Sequence, residues 1–229
     1  MKASLDTNAI IHLYNAGLQS VLFDLFDEGV FIYEQIRNVE LEHHGKGILE
    51  QVDEDIRSGR IEIYTAERLR KLSVYRIFEN NVNENRTLYR PGDLGEVYAI
   101  SLAQTLGALA LVTDDTKRGG PYMSLLQCNG EIMALTFADV LILRYLFGLA
   151  DECTTANDFD AINDASNLNW SLRSQLGRFI RRFWTDPHRD DEKIWLQKLI
   201  QERGIKARAR LDALKRLIIK RQTIETSYI

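Results

Sequence analysis

Up to residue 148 the apolar positions of this chain switch repeatedly between strand-like runs and helical spacing. Lys2-Ala3-Ser4-Leu5 predicts a short strand that stops at Asp6, and Ile10, Ile11 and Tyr14 then mark a helix over Asn8–Ala16. Val21–Phe26 begins a second helix, closed by Gly29, and Val30-Phe31-Ile32 is a continuous apolar run of the kind found in parallel strands. Helical patterns follow over 34–44 and 47–57, Ile61–Tyr64 alternates as a strand, and Ala66–Glu79 reads as one helix. Asn80–Arg90 is rich in polar turn residues and predicts a loop. Asp93–Leu106 is the clearest helix, ended by Gly107; strands are expected at Ala108–Thr113 and Ile132–Leu135, with a helix over Phe137–Phe147.

The alternation implies an α/β fold with a parallel sheet covered by helices. After Gly148 no strand-like run occurs, and 156–222 predicts helices only, so a boundary is expected near residue 150, with domains over 1–150 and 151–229. Charge divides along similar lines. Residues 1–172 hold 14 Lys and Arg against 26 Asp and Glu, whereas 173–229 hold 15 against 7, a net of −12 followed by +8. An acidic front and a basic tail suggest two jobs, although a tail solvated on its own acidic body is the simpler alternative. Two cysteines, Cys128 and Cys153, are too few for a disulfide framework. Asp6 interrupts the N-terminus before a signal peptide forms, and Phe137–Leu149 contains Asp139 and Arg144 and falls short of a bilayer span, so a cytoplasmic protein with no membrane partner is expected.

In a parallel sheet the site lies at the carboxyl ends of the strands, and acids stand there. Asp6 follows the first strand, and Asp114 and Asp115 follow the strand ending at Thr113; the two places meet if the strands are neighbours. Helix capping competes as an explanation for Asp6, and turn formation for the aspartate pair. Glu40 lies four residues after Ile36 and borders an apolar helix face, where a carboxylate is costly unless paired, for instance with Arg37 or Arg76, or bound to a metal. Asp93 and Glu96 form a capping-box-like pair, yet Glu96 shares its face with Ala99 and Ala103 and is expected to point toward the sheet. Converging carboxylates repel each other and raise their own pKa values unless a cation compensates. Oxygen-only ligands favour Mg²⁺ or Mn²⁺.

These segments resemble the PIN-domain nuclease family, which includes the VapC-like ribonucleases. Leu5-Asp6-Thr7-Asn8 is similar to its opening motif, Ile36-Arg37-Asn38-Val39-Glu40-Leu41 to its second, and Gly95-Glu96-Val97-Tyr98-Ala99 to its third. Leu111-Val112-Thr113-Asp114-Asp115 is similar to the fourth, and Leu135-Thr136-Phe137-Ala138-Asp139-Val140-Leu141 to the closing strand and helix, all in family order over 1–148. The resemblance implies a PIN-like parallel sheet flanked by helices on both faces, followed here by an all-helical extension, and metal-dependent phosphodiester hydrolysis of RNA. Asp6, Glu40, Glu96 and Asp115 would hold one or two Mg²⁺ or Mn²⁺ ions, with Asp114 competing for the fourth place. Asp93, Asn8 and Thr113 would form a supporting layer, and Thr7 is a further candidate for positioning ligands or water, with helix capping the favoured alternative for it. The resemblance also makes an antitoxin partner and a homodimer plausible. It assigns no role to the tail.

Lys117 and Arg118, just past the fourth acid, are the cations best placed for a scissile phosphate. In the tail, Gly177–Trp184 and Ile205–Arg221 combine cations with apolar residues; Phe179, Phe183, Trp184 and Trp195 are expected in the core, with the cations either solvated or tracking a phosphate backbone. His43 lies near Glu40 but reads as surface. A non-catalytic PIN-like module that binds nucleic acid or protein is the main alternative. A phosphatase with an Asp-x-Asp motif ranks low, because Asn8 stands where its second aspartate belongs.

Overall fold

Three residues, Ala3–Leu5, form the central strand β1 of a five-stranded sheet in the computed structural model, which describes residues 1–87, 94–117, 120–127 and 132–226. β2 (Val30–Tyr33) pairs with one side of β1, and β3 (Ile61–Tyr64) lies outside β2. β4 (Ala110–Val112) pairs with the other side of β1, and β5 (Met133–Leu135) lies outside β4. All pairings are parallel, giving an α/β fold with strand order β3-β2-β1-β4-β5. Every residue of β1, β2, β4 and β5 is buried, which is why these strands read as unbroken apolar runs instead of alternating.

This order reverses between β1 and β4. Connections leaving the two strands diverge there, and a crevice opens at their carboxyl ends. Leu5 is in register with Val112, and the Asp6 N–H continues the ladder with a 2.9 Å bond to the Val112 carbonyl. Asp6 and Thr113 are thereby set side by side at the switch point.

Helices α1 (Thr7–Asn15) and α2 (Ser20–Leu25) link β1 to β2. A π-helical turn over Ile36–Leu41 follows β2 and runs into α3 (Glu42–His44), and α4 (Leu49–Arg57) leads to β3. The single helix expected over Ala66–Glu79 is two, α5 (Ala66–Lys71) and α6 (Tyr75–Arg86), broken at Ser73, whose φ of 62° lies in the left-handed region. Part of the loop expected over Asn80–Arg90 is helix as far as Arg86. The reason lies in α7 (Leu94–Leu106), against which α6 packs. Phe78 and Val82 bury their side chains. Asn85 Nδ2 donates to Ser101 Oγ at 2.9 Å and Gln104 Oε1 at 2.8 Å, and Asn81 Nδ2 donates to Thr105 Oγ1 at 3.0 Å. Asparagines that look like turn formers in isolation are satisfied by a neighbouring helix.

α7 itself lies on the sheet. Ala99, Leu102 and Ala103 are fully buried, and Ser4 Oγ of β1 donates to the Ala99 carbonyl at 2.9 Å, a close approach that small side chains permit. α8 (Pro121–Gln127) precedes β5.

The chain forms two compact units, Met1–Phe137 and Ala138–Ile229. The division falls ahead of residue 150, so that most of α9 (Phe137–Leu146) belongs with the C-terminal unit. Among the described residues that unit is helical throughout: α10 (Glu152–Ala165), α11 (Leu172–Ile180), a π-helical turn at Arg181–Thr185, α12 (Asp190–Glu202) and α13 (Ala207–Thr226). Phe179 and Phe183 are fully buried with ring centroids 4.6 Å apart, as expected, whereas Trp184 and Trp195, also expected in the core, are only half-buried, Trp195 lying 6.4 Å from Phe183. Buried and half-buried acids of this unit meet arginines. Arg182 Nη2 donates to Glu192 Oε1 at 2.7 Å with its Nη1 4.0 Å from Asp139, and Arg144 Nη1 donates to Asp158 at 3.2 Å. Among the described residues no helix is long and apolar enough to cross a membrane.

Candidate active site

Asp6 ends β1 in extended conformation (φ −89°, ψ 155°) and occupies the N-cap position of α1, but its side chain makes no cap hydrogen bond. The capping explanation therefore does not account for it. The side chain is buried and instead accepts a 2.9 Å hydrogen bond from Thr113 Oγ1, across the β1–β4 junction. Burial pushes the Asp6 carboxyl up to about 6. The Thr113 hydroxyl and the Thr7 N–H oppose that shift, and the nearby Asp114 and Asp115 charges add to it.

Glu40 is brought to the same place by the π-helical turn. In a regular helix Glu40 would share a face with Ile36; the wider turn instead gives the buried positions to Ile36 and Leu41 and leaves Glu40 half-buried at the edge. The ion pair considered for it with Arg37 does not form, since Arg37 binds Asp53 at 2.6 Å and Glu42 at 2.8 Å. Glu40 lies over Gly95 of α7. A Cβ at Gly95 would stand 3.1 Å from Glu40 Cγ and 3.2 Å from Cδ, so glycine is what lets the carboxylate lie against the helix. Glu96 follows on the buried side of α7.

Asp6, Glu40 and Glu96 thus line one cavity of about 240 Å³, together with Thr7, Asn8, His44 and Gly95. No lysine or arginine among the described residues lines it. Nothing matched this chain when it was compared with family models, curated proteins and solved structures.

The aspartate pair after β4 behaves differently. Asp114 has no exposed side-chain surface: Oδ2 meets His12 Nδ1 at 2.8 Å and Oδ1 accepts the Phe137 N–H at 2.8 Å. It ties α1 and the start of α9 to the end of β4 and does not line the cavity. Asp115 accepts the Lys117 N–H at 3.1 Å through Oδ1 and pairs with Lys117 Nζ at 2.7 Å through Oδ2. A Cβ at Gly120 would stand 2.7 Å from Asp115 Oδ1, so that glycine makes room for the turn. Asp115 is close enough to raise the Asp6 carboxyl yet also lies outside the cavity lining, and Lys117 engages this acid. Thr113 stands behind Asp6 and orients it, and Asn8 lines the cavity mouth. Asp93 and Arg118 lie outside the described residues.

Two contributors, His44 and His12, were not read from the sequence, and Thr7, a candidate for positioning ligands or water, was weighed chiefly as a cap. His44, not His43, lines the cavity, whereas His43 Nδ1 donates to the Val39 carbonyl at 2.6 Å. Only the phase of the π-helical turn distinguishes the two. Thr7, expected as a cap, has a buried hydroxyl with no hydrogen-bond partner among the described residues. His12 reaches Asp114 across 102 positions of sequence, for which no local signal exists.

The chemistry of the donors fits a hard divalent cation: three carboxylates, a buried hydroxyl and no resident ammonium or guanidinium group. Their spacing is looser than their chemistry. Among the described residues no group of three or more His, Cys, Asp and Glu side chains is arranged so as to hold a metal ion.

Proposed function

We propose that this chain is a metal-dependent ribonuclease of PIN-like architecture, cleaving phosphodiester bonds at the cavity lined by Asp6, Glu40 and Glu96. The observation that carries the reading is the convergence of these three carboxylates, from positions far apart in sequence, on one cavity at the sheet's switch point. A buried carboxyl raised to about 6 by desolvation is a group for which a cation would be a favourable partner. Mg²⁺ or Mn²⁺, when bound, supplies a water activated for attack on phosphorus and neutralises developing charge on the phosphate. Asp6, Glu40 and Glu96 would hold the ion, and neighbouring residues set its surroundings. Thr113 fixes the orientation of Asp6, Gly95 gives Glu40 its path along α7, and Asn8 and His44 at the mouth offer polar contacts to a nucleotide. Asp115, outside the cavity lining and paired with Lys117, adds negative charge near Asp6 without joining the three carboxylates that line the cavity.

The test is cleavage of labelled single-stranded RNA with Mg²⁺ or Mn²⁺. Asp6→Asn and Glu96→Gln are each expected to lower the rate by about a hundredfold or more. Equal cleavage by wild type and both variants would exclude this cavity as the site. A second reading, a PIN-like module that binds nucleic acid or protein without cleaving, is favoured by the open spacing of the ligands. RNA binding without cleavage under either metal would select it.

A further inference from the structure

The proposed substrate is a polyanion, yet the unit that carries the cavity is acidic: Met1–Phe137 holds 13 Lys and Arg against 20 Asp and Glu. Attraction for RNA must come from elsewhere in the chain. In the C-terminal unit many acids are already matched by its own cations: Asp139 and Glu192 by Arg182, Asp158 by Arg144, Asp160 by Arg221, Asp190 by Lys193. What is left over is positive, and it is concentrated on α13. Ala207, Leu211, Leu214 and Ile218 form the buried stripe of that helix. Arg208 and Lys215 are exposed on its flank and Arg216 and Lys220 on the opposite side, and no ion pair among the described residues engages them. At a rise of about 1.5 Å per residue the four cations extend over roughly 18 Å.

Beside this stripe lies a cleft of about 260 Å³ between α11 and α13. Leu176, Ile180, Ile218 and Ile219 give it apolar walls, while Arg173 and Lys215 stand at its rim. Ile219 is 45% exposed, large for an isoleucine on a helix otherwise divided cleanly into core and charge.

We infer that α13 and this cleft form a second RNA contact, in which Arg208, Lys215, Arg216 and Lys220 hold successive phosphates and an unstacked base enters the cleft beside Ile219 and Arg173. The cations supply affinity that is independent of sequence. The cleft supplies preference for single strands, because a base inside a duplex is not available to enter it. The inference rests on RNA being the substrate of the cavity, but it concerns binding and is read without cleavage.

Anisotropy of a labelled single-stranded RNA of about 20 nucleotides, with the full chain in chelator, measures the contact. The triple variant Lys215→Gln/Arg216→Gln/Lys220→Gln is expected to weaken binding about tenfold or more and to make the slope of log affinity against log salt shallower by about 2. Lys71→Gln, on the other unit, is the control and stays within about twofold of wild type. Ile219→Asn is expected to lower single-strand affinity about threefold while leaving duplex affinity unchanged. The inference is overturned if the triple variant binds within about twofold of wild type, if the wild type binds no RNA in chelator, or if polyglutamate binds this face more tightly than RNA does. Its failure is separable from that of the proposed reaction. Asp6→Asn abolishing cleavage while the triple variant still binds RNA removes the α13 contact alone; a salt-sensitive α13 contact without metal-dependent cleavage removes the reaction alone.

Discussion

Two groups of buried and half-buried acids in this chain are handled in opposite ways. In the C-terminal unit buried Asp139 and half-buried Glu192 face Arg182, and half-buried Asp158 faces Arg144, so each carboxylate has its countercharge within the fold. In the N-terminal unit Asp6, Glu40 and Glu96 meet at a cavity that no lysine or arginine of the described residues lines. Composition does not separate the two, since both draw on the same residue types at helix and strand ends. The difference lies in where the compensating charge comes from. An internal arginine makes a fold element; an acid cluster with no arginine or lysine at hand leaves that role to a ligand. Asp114 and Asp115 stand between the extremes, the first absorbed by His12 and a backbone N–H, the second shared with Lys117.

The comparison is most exposed at Arg182. Arg182→Met leaves Glu192 and Asp139 without their guanidinium in a site where Arg182 is 5% exposed, and is expected to cost about 3–5 kcal/mol in urea unfolding. A loss below about 1 kcal/mol would mean that the pairing does not hold the unit together.

At Asp6 the sign reverses. Its folded-state carboxyl, at about 6, lies above the ordinary 3.8, so the folded protein binds the proton more tightly than the unfolded chain. Stability in chelator is therefore expected to fall as pH rises from about 4 through 6, with a full deficit of about 3 kcal/mol above that window. Asp6→Asn removes the slope and raises the unfolding midpoint at neutral pH. Parallel pH profiles for wild type and variant would contradict the assignment of this cost to Asp6.

Smaller effects distinguish the two glycines. Gly120→Ala drives a Cβ to 2.7 Å from Asp115 Oδ1, a carboxylate held by Lys117, with the Asp115 carbonyl oxygen tight behind it at 3.0 Å, and is expected to cost about 1–3 kcal/mol in thermal or urea unfolding. Gly95→Ala meets only the Glu40 side chain, which can swing aside, so it is expected to cost less in stability and, if the proposed reaction holds, to lower its rate. The smallest effect is expected from Lys117→Ala. Its side chain is 61% exposed, and loss of the pair with Asp115 should change stability by no more than about 1 kcal/mol in the same unfolding measurement.

Much of the site is legible because strand ends are legible. The apolar runs at 3–5 and 110–112 locate Asp6 and Thr113, and the parallel-sheet rule says that neighbouring strand ends form a crevice. Choosing between Asp114 and Asp115 needs three-dimensional partners, since His12 and the Phe137 N–H lie far from Asp114 in sequence. Helix α6 escapes a sequence reading over 80–86 because asparagine propensity describes an isolated segment, and here Asn81 and Asn85 are bound by α7. The domain boundary is expected after the apolar helix of 137–147, whereas α9 lies almost wholly in the C-terminal unit.

The π-helical turn at Ile36–Leu41 carries one residue more than an ordinary turn needs. Deleting a single codon there would let the segment relax to regular helical pitch and rotate the next stretch of helix by about 100°. Glu40 and His44 would swing away from α7 with the hydrophobic anchors still available to pack. One in-frame deletion would thus separate inheritance of the fold from inheritance of the carboxylate cluster, a short mutational route by which the proposed site could be lost while the scaffold is kept.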